Sequence, residues 1–203
     1  MARALLVQCA TASRHVKELE AHKAHLEEEL VRQAREDAER LLQSQLKPSK
    51  RYPEVDAFMK QFEKPIHRYK FLVLQGPSQV GKTAFARSLC DEGFETLEIN
   101  CASGAEPDLR AYRLSKHAVI LLDEIIPQQV VSQRKVFQAQ SAPVQLGCSA
   151  TNMYAYEIYV WRKKFVLASN NWDSSLSQLS AADQDWIRAN SIVLRVTEPM
   201  WQE

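Results

Sequence analysis

The chain has 203 residues, of which 45% are hydrophobic and 25% charged. That balance is typical of a water-exposed globular protein, and the length allows one domain of usual size plus an appendage. Lys and Arg (26) nearly equal Asp and Glu (25), so the formal charge is +1 and no global field draws the chain to nucleic acid or a membrane.

No apolar run reaches membrane-spanning length, so no membrane partner is expected. The opening residues MARALLVQCATASRH contain Arg and no acid. They mimic a short organellar presequence, but a solvated helix start is the expected reading, and their apolar run is too short for a secretory signal. The four cysteines, Cys9, Cys90, Cys101 and Cys148, form no CxxC pair, so free thiols in a reducing, intracellular setting are expected rather than zinc or redox chemistry.

From Ser13 to Leu46 the chain is dense in charge and free of Gly and Pro. Glu28 with Arg32, Arg32 with Glu36, Arg35 with Glu39 and Glu36 with Arg40 stand at i,i+4 spacing. Leu19, Leu26, Leu30, Ala34, Ala38 and Leu41 fall roughly on one face. A helix of this length spans ~50 Å. Lys23, Gln33 and Asp37 interrupt a continuous heptad register, which favours a helical hairpin or an oligomerisation helix over a long coiled coil. His15, His22 and His25 belong to this solvated face and complete no ligand set. Pro48 and Pro53 end the region, and a helix near Glu54–Glu63 leads into the core. Residues 1–65 therefore read as a charged helical segment and 66–203 as a separate α/β domain.

From Tyr69 the pattern alternates between strands and helices. Tyr69–Leu74 reads as a buried strand, and a helix runs from Lys82 to about Asp91. Glu95–Ile99 and Ala118–Leu122 read as strands two and three, and 128–140 as helix. Val144–Cys148 and Tyr154–Val160 read as the arms of a hairpin turning near Ala150–Asn152. Phe165–Ala168 is strand four, Ser174–Leu179 and Ala181–Ala189 are helical, and Ile192–Val196 is strand five.

Between strand one and its helix lies Gly76–Pro77–Ser78–Gln79–Val80–Gly81–Lys82–Thr83, which matches GxxxxGK[ST]. In such a loop the glycines allow close phosphate approach and successive N–H groups face the anion. Lys82 supplies a cation for the β- and γ-phosphates, and Thr83 a hydroxyl for Mg²⁺. Strand three ends in Asp123 and Glu124. Asp123 is placed to hold Mg²⁺, and Glu124 to orient and deprotonate the attacking water. Asn170 and Asn171 follow strand four and Asn100 ends strand two. An Asn there either contacts the γ-phosphate side or shapes a turn.

GPSQVGKT, ILLDE and FVLASNN together resemble the motifs of superfamily 3 helicases, a branch of the AAA+ ATPases that includes viral Rep proteins. The likeness spans roughly Tyr69 to Val196. Asp123 lies 41 positions after Lys82, and Asn170 lies 47 after Asp123. The resemblance implies an α/β P-loop fold with five mainly parallel strands in the order 5-1-4-3-2, flanked by helices and carrying an inserted hairpin. It implies ATP and Mg²⁺ as cofactors, Asn170 as the sensor on the γ-phosphate side, and Asn100 as a polar switch on Glu124. It also implies a homo-oligomeric ring, commonly a hexamer, whose neighbouring subunit donates an arginine; Arg188 is the first candidate and Arg195 the second. Residues 1–65 then match the position of a helical collar, with no nicking endonuclease.

The hairpin occupies the place of the family's DNA-translocating loop, yet its tip, Ser149–Met153, carries no Lys or Arg. Arg162–Lys163–Lys164 at the base is the nearest basic group. Tyr154, Tyr156 and Tyr159 either stack on bases or pack across the hairpin. Two functions are thus expected to compete: an ATP-driven helicase acting on single-stranded DNA, and an ATP-dependent assembly protein without translocation. A small-molecule kinase ranks third, since no arginine-rich lid follows the loop.

Overall fold

A computed structural model describes residues 19–20, 22–34, 37–38, 49–147 and 154–202. The chain divides into two units, Met1–Leu46 and Lys47–Glu203. In the first, residues 22–34 are helical and exposed. Ion pairs Lys23–Glu27 and Arg32–Glu29 sit one turn apart, and Leu19, Leu26, Leu30 and Val31 are exposed.

The second unit begins with α1 (Pro53–Lys60), where Pro53 suits the first turn because its missing N–H has no helical partner there. Then follow β1 (Phe71–Gln75), α2 (Lys82–Ser88), β2 (Glu95–Asn100), β3 (His117–Asp123), α3 (Pro127–Ser132) and α4 (Arg134–Phe137). After these come β4 (Val144–Leu146), β5 (Tyr156–Ile158), β6 (Lys164–Ser169), α5 (Trp172–Leu176), α6 (Ala181–Asn190) and β7 (Ser191–Arg195). The expected helix over 128–140 is broken: Gln133 leaves helical geometry at φ −121°, and its side chain donates to Pro107 O.

Five strands form one parallel sheet in the order β2-β3-β6-β1-β7. With the hairpin strands set aside, this is the expected 5-1-4-3-2 order. The inner strands β1, β3 and β6 are apolar almost throughout because helices cover both faces. On one face Phe71, Val73, Ile120, Leu122, Phe165 and Leu167 pack under α3 to α6 and the hairpin. On the other, Leu72, Leu74, Val119, Leu121 and Val166 pack against Val55 and Phe58 of α1 and Phe85 and Ala86 of α2. α1 thus lies in the same core as the sheet, although it precedes residue 66. β4 and β5 pair antiparallel as a separate hairpin. An Arg134–Asp183 ion pair joins α4 to α6. Among the described residues no helix is long and apolar enough to cross a membrane.

Candidate nucleotide site

Parallel packing brings the C-terminal ends of β1, β3 and β6 side by side, and every loop motif leaves the sheet at that edge. The exit point of the GPSQVGKT loop is held from both sides: Val196 N donates to Gln75 O at 2.7 Å, and Gly76 N donates to Ser169 O at 3.1 Å. A Cβ at Gly76 would lie 2.1 Å from Val196 O, so only glycine passes there. Further along, Gln79 (φ 68°) and Gly81 (φ 91°) take left-handed conformations that tighten the loop.

Carbonyls and N–H groups of the loop are treated differently. Lys82 Nζ donates to Gly76 O at 2.8 Å and Pro77 O at 2.6 Å. Val80 O accepts from Met200 N, and Gly81 O from Phe85 N, each at 2.9 Å. By contrast, the N–H groups of residues 78–83 find no acceptor among the described residues. A loop with four carbonyls engaged and its N–H donors from residues 78–83 free suits an anion.

Lys82 is 7% exposed. Burial pushes its pKa below the usual lysine value, against the pull of Asp123 and Glu124. Its third donor goes to Asn170 Oδ1 at 2.9 Å. Asn170 Nδ2 in turn donates to Ser78 Oγ at 3.2 Å, so this residue beyond β6 bridges the loop and its lysine. Thr83 Oγ1 donates to Asp123 Oδ2 at 3.0 Å. The other Asp123 oxygen accepts from Glu124 N at 3.1 Å. Glu124 is exposed and sits at φ 57°, a costly conformation for a residue with a Cβ.

The loop, Lys82, Thr83, Asp123 and Asn170 are therefore bonded together, and Glu124 adjoins them. Asn100 is not: its Oδ1 accepts from Ala102 N at 2.9 Å and shapes its own turn. Arg188 lies on α6, bonded to Gln184 (2.8 Å) and Asp185 (3.3 Å) of the same helix. Arg195 forms a two-pronged pair with Asp173 at 3.0 and 3.1 Å. That pair holds the Asp173 carboxyl below the usual range and pushes the Arg195 guanidinium up. Both arginines line a cleft of about 350 Å³ between α5, α6 and β7.

The hairpin tip Ser149–Met153 lies outside the described residues. At the base, all three basic side chains bond to the protein, although Arg162 is exposed and only Lys164 is buried. Arg162 Nη2 donates to Phe62 O (2.6 Å) and Lys163 Nζ to Leu114 O (2.8 Å), while buried Lys164 bonds Asp91 (2.6 Å) and Leu89 O (3.0 Å). Tyr156 accepts from Leu109 N and its ring lies under the Arg110 guanidinium, which is a packing role. Tyr154 stands 77% exposed.

Trp201 was not marked by any sequence pattern, yet its indole lies against Gly81. Its contact spans more than a hundred positions, and no periodicity or motif signals it.

No protein-family model matches the chain, and no curated protein matches it. Among solved structures, one similar chain is NtrX from Brucella abortus in complex with ADP: 13% identity, 82% of this chain and 41% of that one covered, TM-score 0.43. The same protein in complex with ATP gives 12% identity, 79% and 42% coverage, and a TM-score of 0.39. The A form apo structure of the NrS-1 C-terminal region gives 16% identity, 72% and 45% coverage, and a TM-score of 0.30. The chain spans less than half the length of each of these. The fold assignment stands on the chain's own strand order and loop geometry.

Proposed function

We propose that this chain binds ATP and hydrolyses it, as an oligomeric P-loop ATPase resembling the superfamily 3 helicases. One observation carries the reading. Three motifs far apart in sequence meet at one sheet edge, with Lys82 on Asn170 at 2.9 Å and Thr83 on Asp123 at 3.0 Å. The free N–H groups of residues 78–83 offer an anion cradle. Lys82 is the cation for the terminal phosphates. Thr83 and Asp123 present hard oxygens side by side, which fits Mg²⁺, an ion that takes few protein ligands and keeps phosphate and water for the rest. Bound there, Mg²⁺ supplies charge neutralisation to the phosphates. Glu124 takes the proton of the attacking water, and Asn170, tied to Lys82, senses the γ-phosphate.

Neither Arg188 nor Arg195 bonds the loop of its own chain. Donation to a neighbouring subunit's site suits such a position, with Arg188 the first choice. The exposed leucines of residues 19–31 suit self-association of the first unit as a collar.

A second reading is an ATP-dependent assembly protein that does not translocate DNA. The bonding of Arg162, Lys163 and Lys164 to carbonyls and to Asp91 favours it, because the basic groups nearest the hairpin are already engaged with protein. ATP turnover with and without single-stranded DNA, on wild type and Lys82→Ala, tests both readings. DNA stimulation supports the helicase, and nucleotide-driven oligomerisation with no DNA effect supports the assembly protein. A wild type with neither ATP binding nor turnover defeats both.

A further inference from the structure

We propose that residues 196–201 form a clamp that holds the phosphate loop in its binding conformation, with Met200 and Trp201 as positioning residues. This rests on the nucleotide reading above and adds to it the part of the chain that shapes the loop.

The segment touches the loop at three points. Val196 bonds Gln75 O at 2.7 Å and fills the space beside Gly76. Met200 N bonds Val80 O at 2.9 Å. A trans peptide is planar, so fixing the Val80 carbonyl toward Met200 turns the Gly81 N–H the opposite way, away from the clamp. That N–H belongs to the free donor set. Trp201 then occupies the side of Gly81 where a Cβ would stand: ring carbons would lie 2.5 and 2.8 Å from it. Gly81 is thus required twice, by its φ of 91° and by the indole.

The clamp is itself anchored. Met200 is 1% exposed in the cluster that holds Val80, Phe85 and Leu194. Lys50 N donates to Met200 O at 2.8 Å, and Ser49 pairs with Trp201 in an antiparallel bridge. Gln79, left-handed despite its Cβ, makes the loop costly to order by itself, because non-glycine left-handed backbone persists only where its surroundings over-determine it. The clamp provides those surroundings, so the donors are pre-arranged before an anion arrives.

The test compares wild type, Trp201→Ala and Trp201→Phe by amide order parameters and by calorimetric ATP titration. In Trp201→Ala the order parameters of residues 79–82 should drop from about 0.85 to below about 0.6 while those of β3 stay unchanged. ATP affinity should fall roughly tenfold, which corresponds to about 1.4 kcal/mol. Trp201→Phe should recover most of both. Unchanged loop order in Trp201→Ala overturns the clamp, as does equal loosening of β3, or a looser loop with unchanged ATP affinity. If wild type does not bind ATP, the nucleotide reading fails, and the loop order parameters alone still decide the clamp.

Discussion

Replacing Lys82 with methionine keeps the length of the side chain and deletes its charge, which separates the lysine's contribution to folding from its contribution to binding. In the folded chain the ammonium donates to Gly76 O, Pro77 O and Asn170 Oδ1 at 2.8, 2.6 and 2.9 Å. At about 1.5 kcal/mol each, the low end for hydrogen bonds from a charged group, their loss destabilises by roughly 4.5 kcal/mol. Burial opposes the charge, as the lowered pKa records, and methionine removes that desolvation cost. The two effects oppose each other, so stability should fall by less than roughly 4.5 kcal/mol, or about 9–18 °C in thermal midpoint. Binding has no such offset. A unit charge 4 Å from a phosphate charge is worth about 4 kcal/mol at an effective dielectric of 20. Allowing for partial solvation, ATP affinity should fall at least ~100-fold, or about 2.7 kcal/mol. Calorimetric titration of both proteins with ATP, alongside thermal melts, makes the comparison. Affinity within threefold of wild type, in a variant that melts normally, would refute the assignment of Lys82. Alkaline pH supplies a second arm. Because burial depresses the folded-state pKa, Lys82 loses its proton below the ordinary lysine value of about 10.4. ATP binding should weaken from that lower pH, and Lys82→Arg should postpone the loss. The unfolded chain still holds the proton there, so the lysine's contribution to stability rises with pH while binding falls.

Glu124→Gln should keep ATP affinity and lower turnover by ~100-fold or more, read in a steady-state phosphate-release assay; comparable turnover rejects Glu124 as the base. Gly76→Ala forces a Cβ to 2.1 Å from Val196 O and should destabilise by about 3 kcal/mol or more in urea denaturation, because the obstacle is a backbone carbonyl rather than a flexible side chain. Asp173 is held below the usual carboxylate range by Arg195, so the pair contributes stability at neutral pH that is lost as pH falls through the depressed pKa. As an exposed pair it is worth at most about 1 kcal/mol, and Asp173→Ala should remove that part of the acid-side slope in melts below pH 4. Arg188→Ala should lower turnover by roughly 1,000-fold if a neighbouring subunit uses it. Mixing it with Lys82→Met should then regain turnover that neither has alone, and a dead mixture rejects the shared site.

Much of the site was legible because its chemistry is local in sequence. GPSQVGKT sits between an apolar strand and a helix, and Asp123–Glu124 ends another apolar strand, so composition and spacing alone marked both. The strand order came with the family resemblance, since spacing carries no pairing information, and the parallel registers agree with it. Element ends moved by a few residues, and the run over 128–140 broke at Gln133, where a side chain bonding Pro107 from another loop outweighed helical propensity.

Two asparagines show where sequence stopped. Asn100 and Asn170 both end strands and look alike as residues. Only folding put Asn170 on Lys82, 88 positions away, and left Asn100 closing its own turn. In sequence the basic triplet at the hairpin base is only the basic group nearest the tip, whereas the fold bonds it to Phe62, Leu114, Leu89 and Asp91. Trp201 carries no motif, and its contact with Gly81 exists because β7 returns beside β1. Local periodicity and short motifs record what neighbours along the chain can do. Which distant side chains then complete the site is decided by packing, through contacts that leave no mark in the spacing of the residues that make them.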